Sequence, residues 1–202
     1  MKPGHLAIVL AAGGSTRLGR PKQLLTREGE TLVHRAARLA WETSPARLLV
    51  VVGAERDGIE HSLRDISCEL VHNPCWREGL ATSLLAAASA IAGDPSPALI
   101  LGCDQPALEL RHLQALLDGA QTARARCAAT IHGERFGVPA VVPGDWFAHP
   151  DGLTGDRGFG ARLSMLGSQA ICAVQAPELG LDIDTVADMN EAISRKLLDP
   201  VG

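Results

Sequence analysis

Residues Leu6 to Leu25, LAIVLAAGGSTRLGRPKQLL, limit what this chain can fold into more than any other stretch. Leu6 to Ala12 contains no polar residue and reads as a buried strand. It breaks into Gly13, Gly14 and Ser15, then presents Arg17, Gly19, Arg20, Pro21 and Lys22. Glycine lets the backbone turn through positive φ and approach a ligand closely. Free N–H groups in a nest, with cations beside them, favour an anion such as phosphate. The two familiar phosphate loops fit badly. A dinucleotide fingerprint needs Gly-x-Gly-x-x-Gly, whereas the glycines stand at 13, 14 and 19. A Walker A loop needs Gly-Lys before Ser or Thr, whereas Arg20 follows Gly19 and the lysine comes at 22. What remains is a third kind of nucleotide loop, LAAG-x-x-x-R-x-G-x-x-K.

A chain of 202 residues is long enough for one well-buried domain and hardly for two. No linker, repeat or low-complexity tract divides it, so a single domain over 1–202 is expected. The composition, 46% hydrophobic and 21% charged, is that of a globular protein and argues against disorder. Only 3% of residues are aromatic, with no Tyr, and the net charge is −4. Neither suits a nucleic-acid partner, which would want a stacking platform or a basic footprint. No apolar run reaches the roughly 18 to 20 residues that span a bilayer, so no membrane partner is expected. Met1-Lys2 before Leu6 to Ala12 has a trace of a secretion signal, but a glycine-rich basic stretch follows where a cleavage site should stand. A cytoplasmic location is therefore expected. The five cysteines, at 68, 75, 103, 127 and 172, form no C-x-x-C pair, and most read as small core residues.

Along the chain, Thr31 can cap a helix to about Thr43, and Leu48 to Val52 reads as a doubly buried strand. A polar helix around Glu55 to Arg64 and a short strand at Cys68 to His72 follow. Asn73-Pro74 breaks the chain before an alanine-rich helix from Gly79 to about Ala92. Ala98 to Leu101 is the next buried strand, and Leu110, Leu113, Leu116, Leu117 and Ala120 mark an amphipathic helix. This alternation predicts an open, mostly parallel α/β sheet with helices on both faces, a three-layer Rossmann-like architecture. Cys127 to His132 and Val138 to Val142 read as strands around Gly133-Glu134-Arg135-Phe136-Gly137. Pro143 to Pro150 reads as a loop or short helix carrying Trp146. Asp151 to Gly160, with four glycines, reads as the most mobile segment. A helix near Ala161 to Leu166, a strand near Ala170 to Val174 and a last helix capped by Thr185 complete the chain.

In such a sheet ligands lie beyond the carboxyl ends of the strands. Gly13 and Asp104 both fall just past strand ends, so the phosphate loop and a carboxylate share an edge. A carboxylate there would repel an anionic ligand unless a cation lay between them, and Asp with phosphate oxygens and water suits Mg²⁺. A second cluster lies at Asp182, Asp184 and Asp188. Alternation puts 182 and 184 on the same side of an extended segment, so both remain open as a second ligand, with Asp182 preferred. Asp188 reads as a solvated helix charge. The seven histidines show no ligand spacing.

The opening loop resembles the signature of the MobA-like nucleotidyltransferases, within them the molybdenum cofactor cytidylyltransferase branch. Further motifs occur in family order: N-x-x-W-x-x-G-x-x-x-S at Asn73, Trp76, Gly79 and Ser83; CDQP at Cys103 to Pro106; a G-x-P turn at Gly137 to Pro139; GD-x-G at 155–158; and DIDT-x-x-D from Asp182. The resemblance implies a nucleotidyltransferase (GT-A-like) sheet and transfer of a nucleotidyl group from an NTP to a phosphorylated acceptor, with release of pyrophosphate. It implies that Leu10, Ala11, Ala12, Gly13, Gly14, Ser15 and Thr16 wrap the nucleotide with Asn73, Gly79 and Ser83. Arg17 and Lys22 would reach its phosphates, with Asp104 and Asp182 holding Mg²⁺. Gly137, Pro139 and Asp156 would border the acceptor. Phe159 and Gly160 intervene before Ala161-Arg162, so the pattern does not say which arginine matches the family's loop. Ala12, where guanylyl-specific relatives show glycine, points to CTP, with molybdopterin cofactor as acceptor and a molybdenum hydroxylase apoenzyme as recipient. The alternatives are another phosphorylated acceptor (a sugar phosphate or isoprenoid precursor), GTP as donor, or a non-catalytic molybdenum cofactor chaperone.

Overall fold

A computed structural model describes residues 4–133, 135–167 and 169–201. Met1-Lys2 and Glu134, which figured in the sequence expectations, lie outside the described residues. The chain enters strand β1 (Leu6–Ala11), passes a 3-10 turn at Lys22–Leu24, and makes a small hairpin of β2 (Thr26–Arg27) and β3 (Glu30–Thr31). Helix α1 (Leu32–Glu42) leads to β4 (Arg47–Val52), and α2 (Arg56–Ser62) to β5 (Glu69–His72). Helix α3 (Leu80–Ala90) precedes β6 (Ala98–Gly102), and α4 (Leu110–Thr122) precedes β7 (Ala128–His132) and β8 (Arg135–Val142). The chain ends with α5 (Asp145–Ala148), α6 (Gly160–Met165), β9 (Cys172–Gln175) and α7 (Val186–Ser194).

Seven strands form one sheet in the order β5-β4-β1-β6-β8-β7-β9. The pairs β1–β4, β1–β6, β4–β5 and β7–β9 are parallel, while β8 runs antiparallel to both neighbours. Only β8 is reversed, and the sheet is the mostly parallel α/β sheet expected. Burial explains the apolar runs. Ala7, Val9 and Ala11 join Leu48, Val50 and Leu101 under α1, α2 and α4. Leu6 and Ile8 join Leu49, Val51 and Ile100 on the opposite face, under α3, α5 and α6. Strands with both faces covered have no polar side to show, which is why they read as continuous aliphatic runs. Each fully buried Leu or Ile contributes about 1.5–3 kcal/mol over an exposed one, so these central strands are the stable frame.

Three features differ from the sequence expectation. The β2–β3 hairpin turns on Glu28 and Gly29, both at positive φ; such a two-residue turn needs that conformation at both positions. Strand β8 starts at Arg135, earlier than Val138, because Arg135 to Gly137 also pair with β7, and its register slips between Ala129 and Thr130. The slip leaves Val138 and Pro139 out of the β7 pairing, and a bulge is where a strand tolerates proline. The glycine-rich 151–159 segment is tied down, with the Gly155 carbonyl accepting from Ala81 N–H at 2.9 Å.

The last helix is set by chemistry legible in sequence. The Thr185 hydroxyl accepts from Asp188 N–H, and the Asp188 carboxylate returns the bond to Thr185 N–H, a capping box. Met189 and Ala192 then pack with Leu18, Leu25 and Leu32 in a third apolar cluster, fastening the C-terminal segment to the flank of the first loop. Thr185→Ala is expected to lower unfolding free energy by about 1 kcal/mol, read from the midpoint of a urea denaturation curve at unchanged slope.

Candidate active site

β1 lies between β4 and β6, where the order of connection reverses, so the crevice opens where the loops after β1 and β6 diverge. The first loop is shaped by a residue that the motif reading passed over. Gln23, 1% exposed, donates its amide to the carbonyls of Ala11 (3.0 Å) and Gly13 (2.6 Å). Ser15, at φ +50°, accepts through its carbonyl from Leu18 and Gly19 and through its hydroxyl from Lys22 N–H. With the carbonyls turned to these partners, no acceptor among the described residues takes the N–H groups of Gly13, Gly14, Ser15, Thr16 or Arg17. Those N–H groups are left available to an anion; the loop turns through positive φ at Ser15 and Gly19, not at Gly13 or Gly14 as the glycine reading supposes. Gln23 could have been found as the polar member of an otherwise apolar QLL run.

Asp104 stands two residues past β6. A Cβ on Gly102 would lie 2.5 Å from Asp104 Oδ1, so glycine there leaves the carboxylate its place. Lys22 Nζ donates to Asp104 Oδ2 and to Asp184 Oδ1, both at 2.7 Å, and Arg17 Nη2 donates to Asp184 Oδ2 at 2.8 Å. Burial alone would lower the Lys22 pKa, but the Asp104 and Asp184 carboxylates outweigh it and raise it, so the ammonium stays charged. Burial likewise pushes Asp184 up, and Lys22 with Arg17 overcome it and hold the carboxyl below its ordinary value. Arg17 is exposed, so its pair with Asp184 is worth at most about 1 kcal/mol. The neighbouring Cys103 thiol is pushed up to about 12 by burial and is no nucleophile at neutral pH.

The carboxylate that meets Lys22 is thus Asp184 rather than the preferred Asp182, which is exposed. Ile183 between them is buried and anchors the segment to the Asp104 turn, its N–H donating to the Asp104 carbonyl at 2.9 Å. Asp188, read as a solvated charge, holds the backbone here: its Oδ2 accepts from the N–H groups of Thr185 and Asp184. Gln105, 5% exposed, donates to the carbonyls of Val138 and Leu179 and ties the Asp104 turn to β8. Arg27 and Arg35 hold the carbonyls of Pro106 and Leu108 beyond it.

Asn73 and Ser83, expected at the nucleotide, are both buried and bonded to each other, Nδ2 to Oγ at 3.0 Å. Trp76 is a wedge: a Cβ on Gly14 would lie 2.5 Å from its ring. Gly79, at φ +106°, caps α3 and packs on the 155–156 turn. Ala11 and Ala12 are buried beneath the loop, whereas Leu10 reaches a cavity of about 540 Å³. Its walls are largely apolar, with Leu80, Leu84, Ile100, Phe136, Val138 and Phe159. The exposed Arg135, Asp156 and Arg157 mark its open end, and Gly137 lines it beside them. Pro139 sits in the adjacent bulge.

Among the described residues no three His, Cys, Asp or Glu side chains gather as a metal set. The pair that does converge, Asp104 and Asp184, consists of hard oxygen donors already sharing one cation at equal distances. Mg²⁺ characteristically takes one or two carboxylates and completes its shell with phosphates and water, so these residues fit it.

The family model described as "MobA-like NTP transferase domain" matches residues 7–170. The chain is 34% identical over 138 residues to "Bifunctional protein GlmU" of Anaeromyxobacter dehalogenans, covering 66% of this chain and 28% of that protein. The chain thus spans little more than a quarter of the length of the GlmU proteins. It is 32% identical over 128 residues to "Nicotine blue oxidoreductase" of Paenarthrobacter nicotinovorans, covering 63% and 62%. The crystal structure of the Mycobacterium sp. strain JC1 homologue of Mycobacterium tuberculosis Rv0371c superposes with TM-score 0.77 at 25% identity, over 95% of this chain and 96% of that one. The M. tuberculosis protein, solved in complex with manganese, gives TM-score 0.74 at 21% identity over 95% and 98%.

Two outcomes are expected from this geometry. Because Asp184 is held below its ordinary value, its contribution to stability is present above the unfolded pKa of 3.8 and is lost as the pH falls through the lower folded value. The stability gap between wild type and Asp184→Asn, measured by urea denaturation, should be clear at about pH 7 and should shrink below 3.8. Gly14→Ala, which drives a methyl into the Trp76 ring, should destabilise the protein by about 1–3 kcal/mol and shift the tryptophan fluorescence.

Proposed function

The chain belongs to the MobA-like NTP transferase family, and from that membership and the carboxyl-edge geometry we propose that it transfers CMP from CTP to the terminal phosphate of molybdopterin cofactor, releasing pyrophosphate. The observation that carries the reading is the meeting of Lys22, Asp104 and Asp184 beside a loop of unoccupied N–H groups. An ionised acceptor phosphate oxygen attacks the α-phosphorus in line and needs little general-base help. The bond to the β-phosphate oxygen breaks as pyrophosphate leaves. The protein's work is to position the two phosphates and balance their charge. Loop N–H groups from Gly13 to Thr16 bind the triphosphate, and Arg17 and Lys22 neutralise charge on the leaving group. Asp104 and Asp184 would hold Mg²⁺, which when bound supplies Lewis-acid stabilisation to the phosphoryl oxygens. The structural neighbour solved with manganese supports a divalent ion.

The cavity bears on the acceptor. A polyhydroxylated sugar phosphate needs many hydrogen-bonding partners, because buried polar groups left unpaired are costly. Walls of Leu, Ile, Val and Phe, with two arginines and Asp156 at the open end, suit a flat ring system carrying an anionic tail. The apolar wall counts against a sugar in the cavity, and a pterin's own hydrogen-bonding edge would have to meet Arg135, Asp156 or Arg157 at the rim. The Ala12 methyl, buried under the loop, supports a pyrimidine by narrowing the room beneath the base. An oxidoreductase reading, drawn from one relative's name, has no support in the loop, whose glycine spacing departs from the dinucleotide fingerprint.

The test is incubation with molybdopterin cofactor, Mg²⁺ and each of CTP, GTP, ATP and UTP, with pyrophosphate as the readout. Release with CTP is expected, and Asp104→Ala should reduce it by at least about 100-fold. Release with CTP only when a sugar phosphate replaces the pterin would move the acceptor assignment. Binding without release under every condition would favour a chaperone.

A further inference from the structure

Three of the four carboxylate oxygens at the proposed metal site already carry cations of the chain itself. Asp184 gives Oδ1 to Lys22 and Oδ2 to Arg17, and Asp104 gives Oδ2 to the same Lys22 ammonium. The fourth, Asp104 Oδ1, faces the Gly102 backbone. The Lys22 side chain is 14% exposed and the carboxylates 26% and 39%, so water screens the inner pairs only in part. A divalent ion about 2.1 Å from these oxygens would stand beside a fixed ammonium and leave two cations without anions. A triphosphate arriving alone would draw Lys22 and Arg17 to itself and leave the two carboxylates without cations. A metal–triphosphate complex meets neither obstacle: its metal takes the carboxylates while its phosphates take Lys22 and Arg17. In that exchange every charge keeps a partner: the metal replaces Lys22 and Arg17 at the aspartates, and the phosphates replace the aspartates at Lys22 and Arg17.

The geometry points to Lys22 as the residue that makes the site selective for the metal–nucleotide complex over the free metal, by occupying the metal's place until phosphates draw it away. The inference rests on the proposed nucleotidyl transfer and on Asp104 and Asp184 as its metal ligands, and it assigns Lys22 a second role before nucleotide binds.

The test is equilibrium binding of Mn²⁺, followed by the loss of the free-ion electron paramagnetic resonance signal, with no nucleotide present. Wild type is compared with Lys22→Met, Lys22→Gln and Lys22→Arg, each checked for fold by circular dichroism. Both uncharged variants are expected to bind Mn²⁺ at least about tenfold more tightly than wild type, about 1.4 kcal/mol. Lys22→Arg, which keeps the charge, should stay near the wild-type value. With a non-hydrolysable CTP analogue added, the order should invert, wild type binding metal and nucleotide more tightly than Lys22→Met. Equal or weaker nucleotide-free Mn²⁺ binding by both uncharged variants would overturn the inference, as would a gain in Lys22→Arg as large as in Lys22→Met. Failure of the functional reading looks different. Wild type would then bind no nucleotide triphosphate with or without metal, while the nucleotide-free comparison would still decide the role of Lys22.

Discussion

The working edge is built on one constraint: β1 is hydrogen-bonded on both sides and covered on both faces. Parallel pairing with β4 and β6 fixes Ile8 opposite Leu49 and Ile100, and those contacts set the height at which the loops leave the sheet. A strand held this way cannot shift register without turning every side chain to the wrong layer. The loops after β1 and β6 therefore emerge side by side. The contacts of Gln23 and Ser15 then fold the first loop so that Lys22 meets Asp104, although the two are far apart in sequence.

The third partner arrives by a different route. Asp184 comes from a segment beyond the span matched by the family model, and no strand ladder holds it. It is positioned by the Thr185–Asp188 capping box, by Ile183 buried against the Asp104 turn, and by Met189 and Ala192 packed on the flank of the first loop. The site is thus joined by local caps and a small apolar cluster as much as by the main core. Its three charged members keep one another in place, with the ammonium shared between two carboxylates that would otherwise repel each other.

Much of this was legible in sequence because the signals were local. Doubly buried strands announce themselves as aliphatic runs, and Thr31 and Thr185 cap helices by a rule that spans four residues. The loop glycines and the placement of Asp104 past a strand end gave the edge of the sheet where the site lies. What was hidden depends on partners distant in the chain. The choice between Asp182 and Asp184 turns on how this irregular segment is tied to the Asp104 turn and to Asp188, and alternation alone leaves both on one side. The inward turn of Asn73 and Ser83 needs the contact between two segments that the sequence only lists in order. The start of β8 was hidden because Gly133 and Gly137 made 133–137 read as a connection, whereas Arg135 to Gly137 pair with β7 beyond the bulge at Pro139. Gln23 was passed over because its value lies in two carbonyls that it turns away from the ligand.

The most direct test of the account is a crystal structure with a non-hydrolysable CTP analogue and Mn²⁺, with the metal located by its anomalous scattering. The account predicts one metal peak bonded to Asp104, Asp184 and the phosphates, with the Lys22 ammonium moved onto the triphosphate. A triphosphate bound elsewhere, or bound in the loop while Lys22 still bridges both carboxylates and the metal lies away from them, would contradict it.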